Sequence, residues 1–132
     1  MPEYVLDTSL DRDLWRTLDA FTQGYIEAAM WTLTDDDGES MDYLGLHDIA
    51  PSALTAIIED CRQFQDAYAA LLAQAGTDAQ NGHDYLLTRN RHGAGFWDRG
   101  YPKAIGDALT DAAHAEGEVN GCVGDDGLVY FE

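Results

Sequence analysis

Apolar positions recur every three or four residues along the first part of the chain, at Leu10, Leu14, Leu18, Phe21, Tyr25 and Ala29. That spacing predicts one amphipathic helix over about 9–32. Thr8-x-x-Asp11 resembles a capping box with Asp as the less usual partner, and Asp11 and Asp13 favour a helix N-terminus. Gly24 reads as a weak point inside this helix. The periodicity stops over 34–48, TDDDGESMDYLGLHD, where Gly38 and Gly45 suit turns. It resumes in a longer stripe: Leu54, Ile57, Ile58, Cys61, Phe64, Tyr68, Leu71, Leu72 and Ala75. This predicts a second helix, opened by Pro51 and closed by Gly76. Cys61 lies on the stripe and reads as a small core residue.

The second half has a different rhythm. After the polar connector TDAQNG (77–82), His83 to Arg89 alternates and reads as a strand, and Gly95 to Asp98 reads as another. Asn90-Arg91-His92-Gly93-Ala94 between them predicts a hairpin loop. Pro102 opens a short helix carrying Ile105, Ala108, Leu109, Ala112 and Ala113, and Gly117 ends it. Val119–Val123 and Leu128–Phe131 predict a second hairpin about the turn Gly124-Asp125-Asp126-Gly127. The expected fold is α+β: two N-terminal helices, then hairpin, helix and hairpin, with a small antiparallel sheet covered by helices. A chain of 132 residues is expected to form a single domain, with a helical acidic part (1–76) and a sheet plus short helix (77–132).

Charge changes the picture more than hydropathy does. There are 25 acidic residues, 18 of them Asp, against 7 basic ones, for a net charge of −18. Residues 1–60 hold 14 acidic and 2 basic side chains, and residues 61–132 hold 11 and 5. A DNA duplex carries roughly 20 charges over a 34 Å turn. A folded chain of this size has a radius of gyration of about 14 Å, so it presents comparable charge over comparable length. Direct binding to nucleic acid is disfavoured, and binding to a basic protein surface is favoured. The same composition also arises from a surface whose charge serves only solubility.

No run of about 18 apolar residues occurs, so no membrane span is expected. The N-terminal segment has neither a basic nor an apolar signal region. Cys61 and Cys122 are therefore expected to be thiols in a reducing cytoplasm.

Candidate chemistry is sparse. With Gly38 at position 6 of an EF-hand loop, Leu33 and Leu44 fall on the two strongest ligand positions, so the calcium motif fails. His47, His83, His92 and His114 have no zinc spacing, and no metal or cofactor is expected. LTRNRHGAGFWDRG (87–100) forms a basic, Gly-rich island in the acidic chain. Arg89, His92 and Asp98 are the catalytic alternative, with His92 as general base and Asp98 orienting it. The competing reading makes this island a structural hairpin held by ion pairs.

HDYLLTRNRHGAGFWDRG, GDALTDAAHAEGE and GDDGLVYFE together resemble a family of small uncharacterised proteins of phages and other mobile elements, over about residues 82–132. In that pattern a Phe-Trp pair stands where this chain has Tyr85-Leu86, and Gly often stands at Arg91. The resemblance implies an accessory gene and supplies no catalytic residues. Together with the charge, it leads to the expectation of a non-enzymatic anti-CRISPR or anti-restriction inhibitor in the host cytoplasm. Its carboxylates would imitate DNA in a basic groove of a nucleic-acid-binding host protein. The expected contact set is Asp19, Glu27, Asp35, Asp36, Asp37, Glu39, Met41, Asp42, Tyr43 and Asp48. A homodimer, a small enzyme or nucleotide binder, and a plain accessory domain remain open on the sequence alone.

Overall fold

Among the described residues, five α-helices and a two-stranded antiparallel sheet make an α+β fold. The structure is a computed structural model, and it describes residues 9–34 and 44–131. The stretch 9–32 forms two helices, not one: α1 (Ser9–Thr17) and α2 (Ala20–Thr32). Asp19 makes the break. It is the N-cap of α2, where its side chain accepts a hydrogen bond from Thr22 N at 2.8 Å. Burial pulls the Asp19 carboxyl up, but hydrogen bonds from Thr22 and Gln65 outweigh it and hold the group below its ordinary value. Asp19→Ala is expected to lower stability by about 1 kcal/mol. The folded carboxyl titrates below the unfolded one, so this contribution is present above the ordinary Asp range and is lost as pH falls through the folded value. Urea midpoints of the two proteins should therefore converge in acid.

α3 (Pro51–Leu72) is the expected long helix, with Pro51 in its first turn and a kink at Tyr68. Residues 77–98 form no hairpin, in contrast to the expectation from the sequence. Residues 78–89 are α4 (Asp78–Arg89), and Phe96–Asp98 is a single turn of 3-10 helix. Thr77 caps α4 by accepting from Gln80 N at 3.3 Å. Every residue from Asn81 to Arg89 is buried. Where a helix is enclosed on all sides it has no wet polar face, and the polar pairs His83-Asp84 and Thr88-Arg89 are buried with the apolar residues between them. α5 (Lys103–Glu116) follows, then β1 (Gly121–Val123) and β2 (Val129–Phe131), paired Gly121 to Phe131, Cys122 to Tyr130 and Val123 to Val129. The Gly124–Gly127 turn closes as the sequence suggests, with Gly127 at φ 79°. Ala50 N donates to Val129 O at 2.9 Å, which ties β2 to the entry of α3.

α4 is the axis of the core. Tyr85 stacks on Phe64 of α3 at 4.1 Å between ring centroids and meets Phe21 and Tyr25 of α2 at 5.8 and 5.4 Å. Phe96 lies behind Phe64 at 6.2 Å. Core residues from both halves of the chain join in one cluster. Asn81 is buried beneath the α3–α4 connection, accepting from Gly76 N and donating to Leu72 O and Gly76 O. Its amide thereby satisfies carbonyls at the end of α3. Cys61 is buried and Cys122 half-buried, and both are free thiols. Burial pushes the Cys61 thiol up, as expected for an inert core residue.

Candidate functional site

The basic island is assembled from the C-terminal end of α4 outward. Thr88, Arg89 and Asn90 end the helix, and each reaches a different part of the fold. Thr88 Oγ1 accepts from Phe96 N at 3.1 Å, which draws the 3-10 turn onto α4. Asn90 Oδ1 accepts from Val119 N at 2.8 Å, which fixes the segment leading into β1. Arg89, 5% exposed, donates to Gly117 O at 2.8 Å and to Glu116 O at 3.3 Å, so its guanidinium closes the C-terminus of α5. It also donates to Tyr25 Oη at 3.1 Å and Asp60 Oδ2 at 3.3 Å. Burial works against the charged guanidinium, but Tyr25, Tyr85 and Asp60 hold its pKa above the ordinary value. Burial likewise raises the Tyr25 and Tyr85 hydroxyls, so both are neutral acceptors at physiological pH.

His92 N donates to Leu87 O at 2.9 Å, and Arg91 N to Thr88 O at 3.0 Å. These two bonds form a Schellman motif in which Arg91 holds the left-handed position, φ 53°. Left-handed backbone costs a non-glycine residue about 1 kcal/mol or more. Arg91→Gly is therefore expected to raise stability by about 0.5 kcal/mol after its own chain-entropy cost. A higher urea midpoint would show it.

Arg99 returns to the same helix. Its Nε and Nη2 contact the Asp84 carboxylate at 2.8–3.2 Å, and Gln80 Nε2 adds a third donor at 3.1 Å. Asp84 is fully buried, so this bidentate pair is its main compensation. The hydrogen bonds that Arg99 donates to Asp84 in turn raise the pKa of Arg99.

The structure does not bring the catalytic alternative together. Arg89 faces inward toward α5, while His92 and Asp98 are exposed. Among the described residues no hydrogen bond or ion pair joins any two of these three. Trp97 is 53% exposed, and its neighbour Phe96 is buried.

Most of the acidic contact set (Asp35, Asp36, Asp37, Glu39, Met41, Asp42 and Tyr43) falls outside the described residues. The other three already hold structural partners. Asp19 caps α2, and Asp48 Oδ2 accepts from Gly45 N at 2.7 Å. Glu27 Oε2 lies 3.0 Å from His83 Nε2 in a largely buried pair between α2 and α4. Exposed carboxylates are found on α1, α3, α4, α5 and the β-turn, at Asp13, Glu59, Asp66, Asp78, Asp111 and Asp125 among others.

The basic side chains behave in the opposite way. Arg16 pairs with Asp13, Arg62 with Glu59 and Asp66, Arg89 with Asp60, Arg99 with Asp84, and Lys103 with Asp107. Among the described residues, five Lys and Arg side chains thus pair with the chain's own carboxylates. Sequence reasoning anticipated ion pairing within the island, but assigned it to cross-strand neighbours and not to contacts with α3 and α4.

A cavity of about 180 Å³ lies between the ends of α2 and α4, and His92 alone of its lining residues is a candidate site residue from the sequence. Glu118 and Asn120 are on its rim. Comparisons with protein-family models, curated proteins and solved structures give no match for this chain.

Proposed function

We propose that the protein is a non-enzymatic, stoichiometric inhibitor of a basic, nucleic-acid-binding host defence complex of the anti-CRISPR or anti-restriction type. Its carboxylates would occupy a groove made for a phosphate backbone. One observation carries this reading: among the described residues, five Lys and Arg side chains pair with the chain's own acids, while many other carboxylates stand exposed. A net charge of −18 then acts outward, with little basic surface to offset it. Such a field speeds encounter with a basic partner and repels nucleic acid itself. The internal use of Arg89 also weighs against an arginine-dependent active site in the island.

The contact set remains the acidic segment Asp35–Asp48 with neighbouring helix faces, where Met41 and Tyr43 supply apolar anchors. The expected outcome is competition. A host protein captured on the immobilised chain should be released by excess duplex DNA. It should also bind at least tenfold more weakly when Asp35, Asp36 and Asp37 are all changed to Asn. A captured protein that binds DNA and this chain at the same time would overturn the reading.

A further inference from the structure

We propose that the cavity between the C-termini of α2 and α4 is a socket for one arginine side chain of the partner protein. This rests on the reading of the protein as a binder of basic surfaces, and it names a second point of grip outside the acidic segment. The volume, about 180 Å³, equals about six waters at roughly 30 Å³ each. Pockets for drug-sized ligands start at about 300 Å³, so this space suits a single long side chain.

The lining divides by chemistry. Leu33, Leu86 and Leu87 form an apolar floor that matches the aliphatic stem of an arginine. Glu118, Asn120 and His92 stand on the rim, all exposed. Among the described residues the side chains of these three make no hydrogen bond or ion pair, so their polar atoms are available to an incoming group. The backbone adds to the sign of the site. Thr32 and Asn90, also in the lining, mark the ends of α2 and α4, so two helix C-termini converge there. Each carries roughly half a negative charge. Arg89 in the last turn of α4 works against this field, but Asp60 and the carbonyls of Glu116 and Gly117 already engage its guanidinium.

An anion meets a carboxylate and two negative helix ends and is disfavoured. A divalent metal ion finds only Glu118 and His92 as strong donors among the lining residues. A guanidinium can bridge the Glu118 carboxylate and the Asn120 carbonyl in one plane, which an ammonium cannot do as well. Arginine is therefore the occupant.

The test is a titration of the whole chain with Nα-acetyl-arginine amide, followed by heteronuclear NMR, with the lysine and norleucine amides as comparisons. Saturable shifts are expected at His92, Asn120 and the Leu86 and Leu87 methyls, with a Kd in the millimolar range. The lysine probe should bind at least threefold more weakly, and the norleucine probe should produce no saturation. Glu118→Gln should weaken the arginine probe at least fivefold. Asp125→Asn, which removes an equal charge outside the cavity, should leave it unchanged. Glu118 is exposed and makes no hydrogen bond or ion pair among the described residues, so its variant retains the fold; Asn120→Leu, which blocks the rim, gives a second reading of the same loss. Absence of saturable shifts, equal weakening by the Glu118 and Asp125 changes, or equal affinity for lysine would overturn the proposal. If the probe binds but no basic partner does, the inhibitor reading fails and the socket stands. If a partner binds normally to Glu118→Gln and the probe is silent, the socket alone fails.

Discussion

Gly82→Ala is expected to destabilise the protein by about 3 kcal/mol, although helix propensity alone would favour alanine by about 1 kcal/mol. The sign reverses because α2 and α4 cross in backbone contact. A Cβ on Gly82 would stand 2.8 Å from the carbonyl carbon of Phe21 and 3.0 Å from Tyr25 N, and closer still to the Phe21 oxygen. These atoms belong to a helix backbone and cannot turn aside as a side-chain tip does. On the other side of the crossing, a Cβ on Gly24 would meet the Ala79 carbonyl carbon at 2.9 Å and His83 Cδ2 at 3.0 Å. Relief requires the helices to separate, which loosens the contacts of Tyr85 with Phe21 and Tyr25 and lengthens the Glu27–His83 pair. One separation relieves both clashes, so Gly24→Ala with Gly82→Ala should cost less than the sum of the two single changes. Urea unfolding followed by circular dichroism measures this. A midpoint equal to or above the parent's would mean that the helices do not cross this closely.

Arg89→Ala should cost about 3–4 kcal/mol. The loss has three physical parts. The carbonyls of Glu116 and Gly117 lose their donor, Tyr25 Oη loses a partner in the core, and the guanidinium leaves a void over the Tyr85 ring. Asp60 contributes less, because its side chain is 42% exposed and water can replace the guanidinium. Arg89→Lys should recover only part of the loss, since an ammonium cannot span these acceptors in one plane. Partner binding, corrected for the folded fraction, should be unchanged in Arg89→Lys. A folded Arg89→Lys protein that has lost its activity would instead restore Arg89 to a chemical role.

Legibility in the sequence followed the amphipathic pattern closely. The α3 stripe from Leu54 to Leu72 and the Gly124–Gly127 turn were readable because each has one wet face or one demanding backbone position. α4 was not, because burial of Asn81–Arg89 removes the polar side that makes a helix visible, and its polar residues His83, Asp84, Thr88 and Arg89 are buried with the apolar ones. A local signal did exist: Thr77-x-x-Gln80 has the sequence pattern of a capping box, and Thr77 does cap α4. Gly24 looked like a flaw in a helix because the neighbour that requires it is 55 residues away in sequence, at Ala79.

The candidate site divides in the same way. That the island holds ion pairs was readable from its composition; that Arg89 and Arg99 reach α3, α4 and α5 was not, since those partners are set by packing. Glu118 and Asn120 carry no motif at all, and only the approach of two helix ends gives them a shared cavity with His92. The role of the acidic segment is the part that rests on charge alone.

The most direct test of the central claim is the salt dependence of binding to a captured basic partner, measured between 50 and 300 mM salt for the parent chain and the Asp35, Asp36, Asp37→Asn variant. If carboxylates stand in for a phosphate backbone, affinity should fall steeply and linearly on a log–log plot, and the variant should show a shallower slope. A flat line for the parent, or identical slopes for the two proteins, would contradict it and leave the acidity of this chain a matter of composition.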